Sequence, residues 1–379
     1  MKATAHSKRR ICFVTGTRAE FGLMRTVLRA IERHPKLHLQ IVATGMHLDR
    51  KHGRSIAEIG ADAVVNWPAN SGRRPAINAV NTGRAIAELA RAFERLGTDM
   101  VLVVGDRVEA FAAAAAGHLS HIPVAHIHGG DRALGQIDDS LRHAITKLAH
   151  VHFPATPQSA KRIQRLGEQS WRIHCVGSPG IDGIRQCAAT WTQVRREFPK
   201  LRRRDFALLV LHPVSASAST EKRNAEIVLG AIQRSGLKQV VIIYPNNDPG
   251  SSGIIDCWEK HRRDEGLIIR RDLPRPIFLG LLRNAAVLVG NSSSGIIEAE
   301  AFGTRVIDIG PRQTGRQRGP NVAHCDYSPA AISRQLKKLA IRATRRRRIY
   351  GGQGAGAAIA RILSRLKIDS RLIKKLIRY

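Results

Sequence analysis

The sequence predicts an α/β protein built from two Rossmann-like, doubly wound domains that face a cleft. The chain has 379 residues, which is too many for one ordinary hydrophobic core. Short apolar runs alternate with longer amphipathic stretches, as in a parallel sheet with crossover helices. This alternation lapses once, near the middle, and then restarts. We therefore expect domains at 1–182 and 183–354, with one or two helices and no further strand in 355–379.

The first half contains six short runs rich in Val, Ile and Leu, each of which we predict to be a strand. They are Ile11–Thr15, Leu37–Ala43, Ala63–Val65, Met100–Val104, Val124–Ile127 and His150–Phe153. Amphipathic stretches between them predict helices at Gly22–Arg33, Asn81–Leu96 and Glu109–His118, and another helix follows Ile137. Turn residues cluster at Cys175–Gly180, and regular apolar spacing does not resume until Phe206. The linker between the domains is expected there.

The second half repeats the pattern. Its apolar runs predict strands at Phe206–Leu211, Gln239–Tyr244, Leu267–Ile269, Ala286–Val289 and Arg305–Ile309. Helices are expected between them, for example at Thr220–Ser235 and Ile277–Arg283. In open sheets of this kind ligands bind beyond the carboxyl ends of the strands, so the loops that follow the strands are the first place to look for a site.

The composition restricts the class of protein. The net charge of +32 attracts anions, and a solvated basic surface, nucleic-acid contact and a membrane surface are its possible meanings. Only 4% of residues are aromatic, which disfavours a protein that stacks single-stranded bases, so nucleic-acid binding is not expected. No apolar stretch reaches membrane length. Five scattered cysteines without a CxxC pair indicate a reducing compartment and no zinc site, so we expect a cytoplasmic protein.

In the first half, two loops follow predicted strands and carry polar groups. The turn from Thr15 to Gly22 has small residues whose backbone N–H groups could approach an anion, and Arg18 adds a forked donor for phosphate. It is neither a P-loop nor a GxGxxG turn, and a tight turn with a surface arginine is the alternative. Asp106 follows the fourth strand beside Arg107. That carboxylate is either catalytic or part of a structural ion pair.

The densest polar stretch runs from His126 to His143. His126 and His128 would point the same way on a strand, which permits a metal site, but no carboxylate stands at a clear ligand spacing and we expect no metal. Acid–base chemistry by His and Asp fits these residues better. The structural alternatives are N-capping by Asp138 and a helix surface for Arg142 and His143.

In the second half, His212 follows a buried strand, where a lone histidine is often structural. In the stretch from Gly290 to Glu298, a predicted strand is followed by three serines and a glycine at the start of a predicted helix. Such a helix N-terminus can bind a diphosphate. Glu298, one turn inside that helix, is placed to accept the hydroxyls of a ribose. After the next strand, Arg312 and Arg316 form a further basic loop for phosphate.

Taken together these stretches resemble the UDP-N-acetylglucosamine 2-epimerase family, on its hydrolysing branch. The matching stretches are Val14–Gly22, Thr44–Leu48, Val104–Arg107, His126–Asp131, Ile137–Asp139 with Arg142–Lys147, Gly290–Gly295 with Glu298, and Gly310–Arg316. They run in family order over nearly the whole chain. The resemblance implies a glycosyltransferase-B-like fold whose C-terminal helix returns to the first domain.

The resemblance also implies a reaction and a substrate. UDP leaves C1 of UDP-N-acetylglucosamine by elimination, and water adds to the unsaturated sugar to give free N-acetylmannosamine or a related 2-epimer, as in sialic or legionaminic acid biosynthesis. No cofactor is required, and a homo-oligomer, a dimer or tetramer, is expected. A UDP- or GDP-linked 2,4-diacetamido-trideoxy hexose is an alternative substrate, and a glycosyltransferase of the same fold is an alternative enzyme.

Sixteen residues are expected to form the site. The catalytic set is Asp106, Asp131, Asp138, Asp139, Arg142 and His212. The set expected to bind the nucleotide sugar is Arg18, Glu20, Arg107, His128, Asn291, Ser292, Ser293, Glu298, Arg312 and Arg316. The chain departs from the family pattern at His128, where many members have a carboxylate. Asp131, three residues later, is expected to take over that acid–base role.

Overall fold

The computed structural model describes residues 8–48, 56, 59–67, 75–132, 138–246, 248–338 and 348–378. The chain divides into two compact units. The first contains Met1–Asp131, Ile137–Asp182 and Tyr350–Tyr379, and the second contains Arg132–Gln136 and Gly183–Ile349. Within the described residues, no helix is both long enough and apolar enough to cross a bilayer.

The first unit is built on a six-stranded parallel sheet of order β3-β2-β1-β4-β5-β6. Its strands are β1 (Arg9–Thr15), β2 (Leu37–Ala43), β3 (Ala63–Val64), β4 (Met100–Val104), β5 (Val124–Ile127) and β6 (Val151–Phe153). Helices α1 (Arg18–Glu32), α2 (Pro75–Leu96), α3 (Val108–Leu119), α4 (Asp138–Leu148) and α5 (Pro157–Arg165) connect or follow them.

Both faces of this sheet are covered, which is why its strands are nearly continuous apolar runs. Side chains of β1 alternate between the faces: Phe13 packs in one cluster with Met24 of α1, and Val14 packs in another with Phe93 of α2. Helix α1 buries Met24, Val27, Leu28 and Ile31, the spacing of one helical face.

The second unit repeats the arrangement with the order β12-β11-β10-β7-β8-β9. Its strands are β7 (Phe206–Val210), β8 (Gln239–Ile243), β9 (Leu267–Arg270), β10 (Val287–Gly290), β11 (Arg305–Ile309) and β12 (Val322–Cys325). Its helices are α6 (Ile184–Cys187), α7 (Trp191–Glu197), α8 (Ala218–Gln233), α9 (Ser251–Lys260), α10 (Arg275–Asn284), α11 (Ser293–Ile297), α12 (Ala299–Phe302) and α13 (Pro329–Lys337). Helices α14 (Ala355–Arg365) and α15 (Ser370–Ile373) belong to the first unit.

Helix α14 packs directly on α1. The contact is close because Gly356 has no side chain: a Cβ there would lie 2.7 Å from the backbone of Thr26. Asp182 fixes the start of α14, since its carboxylate accepts from the backbone N–H groups of Gly354 and Gly356. The C-terminal helices therefore cover one face of the first sheet.

All eleven strands expected from the sequence are present, and their ends shift by two residues or fewer. Strand β12 was missed because it is a partly exposed edge strand that carries His324 and lacks a continuous apolar run. Helix α1 begins at Arg18 rather than Gly22, and α2 begins at Pro75 rather than Asn81. The stretch before Phe206, where regular spacing lapses, contains the short helices α6 and α7.

The strand order fixes where polar loops meet. In each sheet the order reverses once, between β1 and β4 in the first unit and between β7 and β10 in the second. Ligands of doubly wound folds bind beyond the carboxyl ends of the strands at such a switch point. Thr15 and Val104 end the first pair of strands, and Val210 and Gly290 end the second. Most of the residues singled out from the sequence follow these four positions.

Candidate catalytic and nucleotide-binding residues

The turn after β1 holds a carboxylate of the chain itself. Backbone N–H groups of Gly16 and Thr17 donate to Glu20 Oε2 at 3.0 and 3.1 Å, and Glu20 N donates to the Thr17 hydroxyl at 3.2 Å. This is a capping box, which explains why α1 begins before Gly22. The expectation that these N–H groups bind a ligand anion is corrected, because Glu20 occupies them. Arg18 is exposed beside this turn.

Glu109, which was not among the residues expected to form the site, lies against the same turn. A Cβ on Gly16 would be 2.7 Å from Glu109 Cγ, and a Cβ on Gly45 would be 2.7 Å from Glu109 Oε1. Burial and the neighbouring Glu109 raise the pKa of Glu20 to about 7, while Arg107 opposes the shift. The only signal in the sequence was the pair of glycines that leave room for this carboxylate.

Asp106 and Arg107 do not pair with each other. Arg107 Nε donates to Glu109 Oε2 at 3.3 Å. The partner of Asp106 is Arg142, whose guanidinium donates to Asp106 Oδ2 and, at 2.9 Å, to the backbone carbonyl of His128. The Arg142 side chain is only 3% exposed, so the alternative that placed it on a helix surface is wrong. Asp106 is 22% exposed and remains accessible.

His126 and His128 do not share a strand face. Strand β5 ends at Ile127, and His128 has a left-handed backbone with φ of +63°. His126 Nε2 lies 2.8 Å from the carbonyl of Gly105, and burial lowers the pKa of His126 to about 3. The alternation that would have aimed both imidazoles at one metal is therefore absent. The described part of the chain contains no group of three or more His, Cys, Asp or Glu side chains that could hold a metal ion.

His128 and Asp131 form a buried hydrogen-bonded pair. His128 Nδ1 lies 2.9 Å from Asp131 Oδ2, and the Ser159 hydroxyl donates to Asp131 Oδ1 at 2.7 Å. Asp131 is 3% exposed and both of its oxygens are engaged. The hydrogen bond to Asp131 holds the His128 ring in place, and the acid–base role expected of Asp131 stays a prediction.

Helix α4 begins with two acidic residues, Asp138 and Asp139. Asp138 is the first residue of the helix, and its side chain lies outside the described residues. Asp139 Oδ2 lies 3.4 Å from His143 Nε2, one turn along the same helix, and both side chains are partly exposed. Asp139 is thus accessible to a ligand, and its neighbour is an imidazole.

In the second unit, the Asn291 side chain links the ends of β7 and β10 by hydrogen bonds at the switch point. Its side chain is fully buried and accepts from the His212 backbone N–H at 2.7 Å while donating to the His212 carbonyl at 2.8 Å. Gln313 Nε2 donates to the Asn291 carbonyl at 2.8 Å. Asn291 and Gln313 therefore position the loops, with no side-chain donor or acceptor of Asn291 left facing a ligand.

His212 is held as a neutral imidazole. Its Nδ1 accepts from the backbone N–H of Asn246 at 3.1 Å, which places the ring proton on Nε2. Burial, with a further contribution from Arg312, lowers the pKa of His212 to about 3. At neutral pH this group can donate a hydrogen bond but carries no charge.

The segment that follows β10 carries the hydroxyls of Ser292 and Ser293 and the carboxylate of Glu298. Ser292 caps α11, its hydroxyl accepting from Ser294 N at 3.3 Å. Ser293 is the first residue of α11, and Glu298 stands between α11 and α12 rather than inside one helix. The Glu298 carboxylate is 5% exposed and pairs with Arg275, which was not among the residues expected to form the site.

The basic loop after β11 is anchored by Gln313. Pro311–Gln313 forms one 3₁₀ turn, which Gly310 enters with φ of +72°. Glycine suits this position both because of that angle and because a Cβ there would lie 2.4 Å from the Tyr327 ring. Arg312 is 13% exposed and lies 3.6 Å from Asp248, and Arg316 is half-buried. Both guanidinium groups lie on a loop that the Gln313–Asn291 hydrogen bond joins to the Asn291 turn.

The chain is similar in sequence to proteins of one family. A family model described as UDP-N-acetylglucosamine 2-epimerase matches residues 29–364. A UDP-N-acetylglucosamine 2-epimerase of Neisseria meningitidis serogroup B is 36% identical over 326 residues, which are 86% of this chain and 85% of the relative. A UDP-N,N'-diacetylbacillosamine 2-epimerase (hydrolyzing) of Legionella pneumophila is 37% identical over 337 residues, 87% of this chain and 88% of the relative.

A solved structure carries the same fold. The UDP-GlcNAc 2-epimerase from Neisseria meningitidis bound to UDP-GlcNAc superposes with a TM-score of 0.79 at 19% identity, covering 93% of this chain and 99% of that one. The predicted fold class is confirmed: the chain is an α/β protein with two Rossmann-like parallel sheets in a glycosyltransferase-B-like fold.

Proposed function

This chain belongs to the UDP-N-acetylglucosamine 2-epimerase family, and from that premise we propose that it is a hydrolysing 2-epimerase of UDP-N-acetylglucosamine. The observation that carries the proposal is the acid–base cluster beyond β4 and β5, where Arg142 joins Asp106 to the loop of the His128–Asp131 pair. Such a cluster suits proton transfer at a sugar carbon.

The second unit is proposed to hold the nucleotide. The hydroxyls of Ser292 and Ser293, the guanidinium groups of Arg312 and Arg316, and the neutral Nε2–H of His212 are donors for the diphosphate oxygens. Glu298 accepts from the ribose hydroxyls, and the ion pair with Arg275 holds its carboxylate in place. Holding the charge of the diphosphate makes UDP a better leaving group.

The first unit is proposed to act on the sugar. A base takes the proton from C2 while the C1–O bond breaks, and the bonding electrons leave with UDP as the C1–C2 double bond forms. Water then adds its hydroxyl to C1 and a proton returns to C2 on the opposite face, giving free N-acetylmannosamine. Asp106, accessible and oriented by Arg142, is the proposed base.

The remaining acid–base groups serve the second step. Asp139, which is partly exposed, is proposed to hold the water that attacks C1, and Asp138, the first residue of the same helix, is proposed to share that role. The His128–Asp131 pair supplies the second proton-transfer group. Arg18, which follows β1, and Arg107, which follows β4, are proposed to add positive charge beside the substrate. These steps need no cofactor. We further propose that the enzyme acts in the cytoplasm as a homo-oligomer.

A second candidate substrate has support of its own. The Legionella relative is named for a diacetylbacillosamine nucleotide, and at 37% identity it is as similar to this chain as the Neisseria enzyme. A UDP- or GDP-linked 2,4-diacetamido-trideoxy hexose would undergo the same elimination and hydration, because the reacting atoms C1 and C2 are the same.

The test incubates the protein with UDP-N-acetylglucosamine alone, in water enriched in ¹⁸O, and follows ¹H and ³¹P NMR. We expect UDP and free N-acetylmannosamine, with no ¹⁸O in the UDP because the C–O bond breaks. Formation of UDP-N-acetylmannosamine would identify a non-hydrolysing epimerase. Turnover only with the diacetamido substrate would select the second candidate, and turnover only with an added acceptor would identify a glycosyltransferase.

A further inference from the structure

Ser178 closes the far side of the His128–Asp131 pair. Its hydroxyl oxygen lies 2.9 Å from His128 Nε2, and Asp131 Oδ2 lies 2.9 Å from Nδ1 of the same ring. Ser178 is fully buried and His128 is 5% exposed. Both ring nitrogens are therefore held by side chains of the protein, in a line that runs from Ser159 through Asp131 and His128 to Ser178.

For a neutral imidazole, the hydrogen bonds determine which ring nitrogen carries the proton. An ionised carboxylate can only accept, so His128 Nδ1 carries a proton and donates to Asp131. The backbone N–H of Gly180 donates to the Ser178 oxygen at 3.2 Å. The Ser178 proton then points to His128 Nε2, whose lone pair accepts it. Every group in the line is satisfied when the imidazole is neutral, with its proton on Nδ1.

Ser178 also lies close to the two ends of the first unit's segments, which stop at Asp182 and resume at Tyr350. Its backbone N–H donates to the carbonyl of Tyr350 at 2.8 Å. The neighbouring Gly177 packs on Gly351 so closely that a Cβ on Gly351 would lie 2.9 Å from Gly177 Cα. Four residues after Ser178, Asp182 accepts from the first N–H groups of α14. One residue thus connects the imidazole with the paired segments that link the units.

We propose that Ser178 is a positioning residue for the acid–base pair: its hydroxyl donates to His128 Nε2, holds the ring in the Nδ1–H tautomer and ties it to the segment where the chain crosses between the units. When the ring carries a proton on Nε2, the hydroxyl must rotate from donor to acceptor, so the orientation of the hydroxyl and the tautomer of the ring are linked. The effect on turnover rests on the proposed function, whereas the tautomer does not.

The direct test is ¹⁵N NMR of histidine-labelled protein, in which protonated and unprotonated ring nitrogens have distinct shifts. The His128 signals are assigned by their loss in His128→Asn. We expect wild-type His128 to be the Nδ1–H tautomer at mildly alkaline pH. Ser178→Ala should mix the two tautomers, and Ser178→Thr, which keeps the hydroxyl, should restore one. The control is Ser170→Ala, which removes an exposed hydroxyl that accepts from Gln164 at 3.3 Å.

Kinetics give the second readout. Ser178→Ala should lower kcat about tenfold with KM within about twofold, and Ser178→Thr should recover most of the loss. An Nε2–H tautomer in the wild-type protein would overturn the proposal without any variant, and so would an unchanged tautomer in folded Ser178→Ala. If the wild type turns over no nucleotide sugar, the proposed function fails, but the NMR result still decides the role of Ser178.

Discussion

Replacing Asp106 by Asn separates catalysis from folding, because it removes a charge and keeps the shape. In the native protein the Asp106 carboxylate accepts from Arg142, whose side chain is 3% exposed, while Asp106 itself is 22% exposed. The asparagine carbonyl can still accept that hydrogen bond. What it cannot do is neutralise the guanidinium or take a proton from a substrate.

The structure sets the size of both effects. Removing one partner of a fully buried ion pair costs about 3–5 kcal/mol. Here the retained carbonyl, the partial exposure of Asp106 and the second contact of Arg142 with the His128 carbonyl reduce the expected loss to about 1–2 kcal/mol. A domain stable by about 5–15 kcal/mol remains folded after that loss. Loss of a general base lowers kcat about 10²–10⁴-fold, or roughly 3–5 kcal/mol in activation free energy.

The assay measures UDP release for kcat and KM, UDP affinity by calorimetry and unfolding by urea. We expect kcat to fall at least about 100-fold with UDP affinity within about twofold. The matched control is Asp99→Asn, which breaks an exposed pair with Arg10 whose side chains are 35% and 45% exposed. It should cost less than about 1 kcal/mol and leave kcat unchanged. Wild-type kcat in Asp106→Asn would remove this carboxylate from the catalytic set.

Three further predictions use other parts of the chain. Gly290→Ala should lower the free energy of unfolding by more than about 2 kcal/mol, because φ is +132° and the new Cβ would lie 2.0 Å from the Val210 carbonyl. Gly83→Ala, in an open position inside α2, should instead raise the free energy of unfolding by about 0.5–1 kcal/mol. Urea midpoints that move in the same direction for both variants would refute this. Burial alone would raise the pKa of Glu168, but hydrogen bonds from His152 and two lysines lower this pKa from 4.5 to about 2. The ionised Glu168 therefore stabilises the folded protein by about 3 kcal/mol above pH 4.5, and this stabilisation is lost as the pH falls towards 2. Glu168→Gln should be less stable by that amount at neutral pH, with a difference that narrows over this range in urea titrations; a constant difference would contradict the linkage. Glu298→Ala should weaken UDP binding about 10–100-fold with kcat little changed, and an unchanged Kd in calorimetry would exclude a ribose contact.

Local patterns in the sequence predicted most of the strands. The strands were readable because a sheet covered on both faces requires near-continuous Val, Ile and Leu, and β2, β4, β5 and β11 match their expected bounds. A local signal was also overlooked: Thr17 and Glu20 have the spacing of a capping box, which places the start of α1 at Arg18. Strand β12 lacks such a pattern, because an edge strand is solvated and need not be apolar.

The sequence by itself determined the alternation of strands and helices, the family, and the position of each polar residue just after a strand. Only the tertiary structure decided which of those residues meet. Asp106 pairs with Arg142 across 36 positions rather than with the adjacent Arg107, and His128 meets Ser178 across 50. The physical reason is that hydrophobic periodicity records which side of an element is buried, whereas strand order and loop path determine which buried polar groups can satisfy one another.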